Sequence, residues 1–249
     1  MTAPTLVIVP GSFAPPELYS SFVEVLSRHG VDARVVSLPS VGRRDPKPAG
    51  SMTDDAAEIQ RVVESVFDES KDVVIMPHSY GGVPATESMK TLSHKNREGR
   101  AVKRIIYLTA VVIPLGMSNT EMNAGGLPDW LSFDGDYMVL NPEFSGPLTF
   151  SDLPDAEAIE AAKQMSDHSA LSFQEKLSYP GYNDVDVHYI LCEKDKIIAP
   201  DHQQAMIGMI EQSSGRAPTV HKMSSDHCPV VTHAEELVTI LKGILTSSA

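Results

Sequence analysis

Val73-Val74-Ile75-Met76-Pro77-His78-Ser79-Tyr80-Gly81-Gly82 is a continuous apolar run followed by a turn that contains small residues. The apolar run predicts a strand buried on both faces, and the residues beyond the turn have a helical pattern. A sharp turn from a strand into a helix presents a side chain clear of the sheet, and crowding at the turn demands small neighbours. Ser79 occupies this place and is therefore a candidate nucleophile.

The neighbours of Ser79 match the usual Gly-x-Ser-x-Gly pattern on one side only. Gly81 supplies the small residue after the serine, but Pro77 stands where the pattern has its first glycine. Proline has no N–H to lose at the end of a strand, so the backbone can accept it there. His78 is expected to point away from Ser79 and to pack beneath the turn.

Strands and helices alternate along the chain on both sides of this turn. Further apolar runs predict strands at residues 6–9, 33–38, 104–108, 187–192 and 219–223. Helical spacing predicts helices at residues 16–29, from residue 53, directly after the serine turn and near the C-terminal end. This alternation predicts an α/β protein with a mostly parallel sheet and helices on both faces.

Residues 114–184 break the alternation. They contain scattered glycine and proline and the tryptophan Trp130, and they lie between two predicted strands. We interpret them as a cap insertion over a core formed by residues 1–113 and 185–249. An ordinary run of helices within the core is the alternative interpretation.

Two further polar residues follow predicted strands, at the sheet edge where parallel α/β proteins bind ligands. Asp195 is the candidate acid, with Glu193 and then Asp201 as alternatives. His227, between the last strand and the last helix, is the candidate base. Its neighbour Asp226 is not chosen as the acid, because side chains adjacent in sequence seldom face each other. The order Ser, Asp, His, each just past a strand, predicts a catalytic triad.

A serine that attacks a carbonyl group needs two fixed donors for the developing oxyanion. The backbone N–H of Tyr80 is one candidate, and that of Ser12, in the loop after the first strand, is the other. A shifted register would use the N–H of Phe13 instead. Phe13, Tyr80 and Trp130 are candidate substrate-binding residues, with ordinary core packing as the alternative.

Composition argues against several partners. The 249 residues carry a formal net charge of −13, which disfavours binding to nucleic acid and to anionic membrane surfaces. Neither a membrane-spanning run nor a signal peptide is predicted, so we expect a cytoplasmic protein, with monomer and homodimer both open. Cys192 and Cys228 make no disulfide framework. No metal site is predicted, because the spacing of His221, His227 and His233 is not that of a ligand pair.

Three segments resemble the α/β-hydrolase superfamily, and the resemblance extends over nearly the whole chain. They are Tyr189-Ile190-Leu191-Cys192-Glu193-Lys194-Asp195-Lys196, the helix with Gln203-Gln204, and Ser225-Asp226-His227. They look most like the branch that holds plant methyl-ester esterases and hydroxynitrile lyases. The resemblance implies an eight-stranded core sheet, a helical cap after the sixth strand, and a site beneath the cap that uses no cofactor.

That branch contains two chemistries that the sequence can separate. Its lyases use a lysine directly after the catalytic histidine and a threonine in the first loop, where this chain has Cys228 and Gly11. Both differences favour hydrolysis of an ester or lactone of a small apolar molecule by Ser79, His227 and Asp195. Two alternatives stay open: a lyase or C–C cleaving or rearranging enzyme that acts on a natural product at the same site, and a non-catalytic small-molecule receptor.

Overall fold

The computed structural model describes residues 4–122, 128 and 130–247. The strands are β1 (Thr5–Val9), β2 (Ala33–Val35), β3 (Val73–Pro77), β4 (Arg104–Leu108), β5 (Leu131–Asp134), β6 (Tyr137–Leu140), β7 (His168–Ser169), β8 (Asp186–Cys192) and β9 (Thr219–Met223). The helices are α1 (Ser20–Arg28), α2 (Met52–Asp68), α3 (Gly82–Leu92), α4 (Asn119–Met122), α5 (Pro142–Thr149), α6 (Asp155–Ala162), α7 (Ala170–Gln174), α8 (Pro200–Ser214), α9 (Pro229–Thr232) and α10 (Ala234–Thr246). Short 3-10 turns lie at Pro16–Tyr19, Ser79–Gly81 and Gly181–Asn183.

The main sheet has the order β2-β1-β3-β4-β8-β9, and every neighbouring pair is parallel. Successive residues of β1 point to opposite faces. Leu6 and Ile8 pack with α1 and α10, whereas Val7 and Val9 pack with α2, α3 and α8. Central strands buried in this way on both faces need continuous apolar sequence. The predicted α/β fold with helices on both faces is therefore confirmed, although β2 is shorter than its apolar pattern suggests.

Two details implied by the resemblance are wrong. The main sheet has six strands among the described residues, not eight. Residues 114–184 are mixed and not purely helical, because β5, β6 and β7 form a separate antiparallel sheet. β5 and β6 pair as a hairpin whose turn contains Gly135 at a φ of 60°, a left-handed conformation that glycine adopts without steric cost.

Helix α2 begins where it does because Ser51 caps it. The Ser51 hydroxyl accepts the Asp54 N–H, and the Asp54 carboxylate accepts the Ser51 N–H, so two backbone donors at the helix start are satisfied reciprocally. This start places the next residue, Asp55, in the first turn with its side chain fully buried. Asp55 lies beside the candidate site.

Residues 114–184 connect β4 to β8 and pack on the loop after β1. Phe13 of that loop forms a small apolar cluster with Met138 and Ala170. Val41, in the loop after β2, forms an antiparallel bridge with His168. Within the described ranges, no helix combines the length and apolar character needed to cross a bilayer.

Candidate active site

Ser79 stands in the turn after β3, two residues past its end, in a strained backbone conformation. Its φ is 52°, in the left-handed region that residues other than glycine rarely adopt. Strain of this kind costs about 1–3 kcal/mol and persists where surrounding contacts enforce it. The N–H of Val111 donates to the Ser79 carbonyl oxygen at 2.8 Å, and the chain turns sharply from β3 into α3.

Pro77 is tolerated because of where its missing donor would lie. The N–H of His78 donates to the carbonyl oxygen of Val9 in β1 at 3.0 Å. Successive strand residues direct their N–H groups to opposite neighbours, so an N–H at residue 77 would face β4. β3 and β4 keep one register on both sides of Pro77, Ile75 with Ile105 and His78 with Leu108, so the missing donor at the end of β3 does not shift the pairing.

The two glycines after Ser79 are required by close backbone approach. A Cβ on Gly81 would lie 2.5 Å from the carbonyl oxygen of Pro10, and one on Gly82 would lie 2.2 Å from that of Val111. Both distances are far inside van der Waals contact. The start of α3 can therefore press against β1 and against the loop after β4 only without side chains.

Replacement of Gly81 by alanine is expected to destabilise the fold by about 1–3 kcal/mol, because backbone atoms must shift to admit the methyl group. Gly208, exposed in α8, is the matched control because a Cβ there meets nothing within 4 Å. Gly208→Ala should instead stabilise the protein by about 0.5–1 kcal/mol through helix propensity. Urea unfolding midpoints of the two variants test this, and shifts of equal sign would contradict it.

The three side chains predicted as a triad lie in one hydrogen-bonded line. The His227 Nε2 is 3.0 Å from the Ser79 Oγ, and the His227 Nδ1 is 2.7 Å from the Asp195 Oδ2. All three residues are buried. Because the Asp195 carboxylate accepts the Nδ1 proton, Nε2 is left free to accept a proton from the serine.

Asp195 accepts hydrogen bonds from four donors among the described residues. Its Oδ1 accepts the N–H groups of Ile197 at 2.7 Å and Ile198 at 2.9 Å, and its Oδ2 accepts the Thr109 hydroxyl as well as the imidazole of His227. Burial by itself raises the pKa of Asp195, but the charge of His227 and these hydrogen bonds outweigh it and hold the pKa below the ordinary value. The carboxylate is therefore ionised at neutral pH.

The other acidic candidates lie elsewhere. Glu193 is exposed and pairs with Lys222 at 3.6 Å, and Asp201 is exposed at the start of α8. The carboxylate of Asp226 turns away from the His227 ring and accepts the N–H groups of Asp152 and Cys228 and the hydroxyl of Thr232. Among these acids, only Asp195 contacts the imidazole of His227 in the described structure.

His78 links the loops around Ser79 by hydrogen bonds. Its Nε2 lies 2.7 Å from the carbonyl oxygen of His227, so this nitrogen must be the donor. Its Nδ1 then accepts the Tyr19 hydroxyl at 2.7 Å, and the Tyr19 oxygen accepts the N–H of Gly11 at 3.1 Å. Burial, followed by the charge of His227, lowers the pKa of His78 to about 3. A neutral imidazole therefore connects the first loop, the serine turn and the histidine loop.

The backbone N–H groups of Ser12 and Tyr80 donate no hydrogen bond within the described part of the chain. The N–H of Phe13, the alternative donor, is engaged with the Nδ1 of His168 at 3.3 Å. This arrangement favours Ser12 over Phe13 as the donor from the first loop. The Tyr80 side chain is buried and donates its hydroxyl to Asp55 at 2.7 Å, so it is turned away from Ser79.

A cavity opens beside Ser79. Its wall includes Ser12, Ser79 and His227 and the candidate substrate-binding residues Phe13 and Trp130. The other lining residues are Gly11, Ala14, Leu18, His78, Leu140, Thr149, Met165, Ile197 and Cys228. Tyr80 is absent from this wall of described residues, so the prediction that its side chain binds substrate finds no support in its position.

Sequence reasoning missed several residues of the site. Thr109, which binds Asp195, follows β4 directly, so the rule that selected Asp195 could have found it. Tyr19, Asp55 and His168 reach the site from helices and from residues 114–184. No local pattern marks them, because their partners are 59, 25 and 155 residues away in sequence.

A parallel sheet with a strained serine after its third strand, and a serine, histidine and aspartate joined by hydrogen bonds, defines an α/β hydrolase. An alpha/beta hydrolase family model matches residues 6–240. The chain belongs to this family and is an enzyme of it.

Individual relatives agree with this assignment. The chain is 36% identical over 239 residues to the probable hydrolase R7 of a Phoma species, covering 95% of this chain and 96% of that protein. It is 24% identical over 206 residues to Methylesterase 17 of Arabidopsis thaliana, covering 74% of this chain and 69% of that protein. The crystal structure of polyneuridine aldehyde esterase has the same fold, with a TM-score of 0.75 at 21% identity over 98% of this chain and 99% of that one.

Proposed function

We propose that this hydrolase cleaves an ester or lactone of a small apolar molecule. The observation that carries the proposal is the hydrogen-bonded line from Ser79 through His227 to Asp195, which opens on a cavity beside two unpaired backbone amides. This arrangement supplies a nucleophile, a base and an oxyanion site in one place.

Each group of the site then has a defined part in the reaction. The Ser79 Oγ attacks the carbonyl carbon while the His227 Nε2 takes its proton, and Asp195 stabilises the resulting imidazolium. The oxyanion accepts hydrogen bonds from the N–H groups of Ser12 and Tyr80. As the tetrahedral intermediate collapses, His227 returns the proton to the departing alkoxide. Water, activated by the same histidine, then releases the acid and restores the serine.

The cavity wall supports an uncharged apolar substrate. Phe13, Leu18, Leu140 and Met165 contribute aliphatic and aromatic surface, and no Lys, Arg, Asp or Glu belongs to the described lining. A buried charge on the substrate would therefore find no ionic partner, at a cost of several kcal/mol or more. Residues 114–184 supply part of this wall, and we propose that they act as a cap over a core of residues 1–113 and 185–249.

Two positions argue for hydrolysis over a lyase step. A Cβ on Gly11 would lie 3.0 Å from the Cβ of Ser79, so a larger residue there would crowd the nucleophile. Cys228 lines the cavity directly after His227, and burial raises the pKa of its thiol well above the ordinary value. The thiol is therefore uncharged at neutral pH and supplies no cation for an anionic leaving group.

The test is covalent labelling with a serine-directed fluorophosphonate, read by intact mass. Wild type should gain one adduct, because His227 activates Ser79 toward phosphorus as it does toward a carbonyl carbon, and Ser79→Ala should gain none. Folding of both proteins is checked by circular dichroism. A folded wild type that gains no adduct would contradict the proposal, and ligand binding without turnover would then favour a receptor.

Reaction in ¹⁸O water separates hydrolysis from the lyase alternative. Hydrolysis places one solvent oxygen in the acid product, whereas a lyase step places none. If the fluorophosphonate labels Ser79 but the product contains no ¹⁸O, the serine is activated as proposed but the reaction is not hydrolysis.

A further inference from the structure

Residues 166–172 hold the loop after β1 at Phe13. The Phe13 N–H donates to the His168 Nδ1 at 3.3 Å, and the Phe13 carbonyl oxygen accepts the Ser166 N–H at 2.8 Å. Both polar groups of the Phe13 backbone are therefore bound by a segment that is 150 residues or more away along the chain.

Phe13 needs such contacts because its backbone is strained. Its φ is 62°, a left-handed conformation that is unfavourable for a bulky residue. The residue before it, Ser12, carries the proposed oxyanion donor. The loop is also held at Gly11, whose N–H donates to the Tyr19 hydroxyl at 3.1 Å. The Ser12 amide thus lies between two anchored residues, and His168 is the residue that holds the N–H of one of them, Phe13.

The acceptor role of His168 is set by its other nitrogen. The Ser172 hydroxyl donates to the Ser169 carbonyl oxygen at 2.8 Å, so its oxygen is left to accept the Nε2 proton of His168 at 3.0 Å. The Nδ1 is then unprotonated and can accept the Phe13 N–H. Burial lowers the pKa of His168 to about 3, so the imidazole stays neutral at neutral pH.

The same imidazole contacts the residue that carries the second proposed donor. The His168 ring packs edge-on against the Tyr80 ring, with centroids 4.8 Å apart and planes at 75°. The Tyr80 ring also stacks on Phe173 at 5.0 Å, and Phe173 in turn packs edge-on with His168 at 5.3 Å. The Tyr80 hydroxyl is anchored on Asp55. His168 is therefore in contact with both peptide segments that would form the oxyanion site.

We propose that His168 is a positioning residue for the oxyanion hole, which holds the Ser12 amide through Phe13 and the Tyr80 amide through the tyrosine ring. It does not belong to the cavity wall and acts through these two residues. The inference rests on the proposed ester hydrolysis. Under it, residues 114–184 do more than cover the site, because they also fix a part of the catalytic geometry.

The test compares His168→Asn with His168→Gln. An asparagine amide oxygen can replace Nδ1 and accept the Phe13 N–H, whereas a glutamine amide reaches the position of Nε2 and retains only the contact to Ser172. Both substitutes are neutral and polar. Turnover of a 4-nitrophenyl ester is measured per active site, counted by fluorophosphonate labelling, together with KM and the affinity for a trifluoromethyl ketone.

We expect glutamine to lower kcat by about 10- to 100-fold with KM nearly unchanged, since oxyanion donors act in the transition state. The ketone, whose adduct with Ser79 carries an oxyanion, should bind more weakly by a similar factor. Asparagine should retain kcat within about threefold of wild type if one retained acceptor restores the loop. His168→Leu, which has no acceptor, replaces the glutamine variant if that variant does not fold.

Equal kcat per labelled site in the asparagine and glutamine variants would overturn the proposal, even if both lowered the unfolding midpoint, because a purely structural role predicts that pattern. An unlabelled, inactive wild type would instead overturn the proposed hydrolysis, and this inference with it. The wild-type labelling is read first, so the two failures are distinguishable.

Discussion

Replacement of Ser79 by alanine is expected to lower kcat for an activated ester by on the order of 10⁶-fold, with little change in KM. The reason is that no other hydroxyl lies at the His227 Nε2 in the described structure, so the base has no proton to take. Initial rates with 4-nitrophenyl butyrate, after subtraction of the uncatalysed rate, measure the effect. Ser65→Ala, at an exposed position of α2, is the matched control and should keep the wild-type rate.

The same experiment tests whether the three residues act as a unit. If they do, adding Asp195→Asn to Ser79→Ala should lower kcat no further, because the proton transfer that the acid assists no longer occurs. A double variant much slower than the serine variant would show that Asp195 contributes independently of Ser79.

Replacement of Asp195 by asparagine is expected to lower kcat by on the order of 10⁴-fold. The Oδ1 side faces the N–H groups of Ile197 and Ile198, so the single amide oxygen of asparagine must lie there. The amide NH₂ is then directed at the His227 Nδ1 and donates to it. The imidazole proton is forced onto Nε2, which can no longer accept the serine proton.

This prediction distinguishes the orienting acid from its sequence neighbour. Glu193→Gln, at the exposed alternative acid, removes one negative charge two residues away and should change kcat by less than about twofold, in keeping with the small energies of exposed ion pairs. Stopped-flow rates and unfolding midpoints of both variants separate lost chemistry from lost folding. Comparable losses in the two variants would contradict the assignment of Asp195 as the acid partner of His227.

Most of the fold could be predicted from short-range patterns. The apolar runs that became β1, β3, β4 and β8 are short and nearly continuous because each strand is buried on both faces. The inserted segment could not be predicted in the same way. Its strands β5 and β6 pair mainly with each other, and β5 is largely exposed, so their apolar pattern is weak.

The residues of the candidate site also differ in how far the sequence predicts them. Ser79, Asp195 and His227 each follow a strand of the parallel sheet, and the carboxyl ends of such strands meet at one edge whatever the details of packing. The rejection of Asp226 also followed from position, since side chains adjacent in sequence seldom face each other. The choice of Ser12 over Phe13 did not, because it depends on a contact to His168.

The sequence by itself therefore determined the class of fold, the three residues of the proposed triad and the glycines that the serine turn needs. Periodicity and the steric demands of a tight turn act within a few residues, so they can be recognised in a single sequence. Only the tertiary structure decided how the backbone donors are held. Tyr19, Asp55 and His168 act through buried hydrogen bonds to partners far away in sequence, and such partners are set by the packing of whole elements.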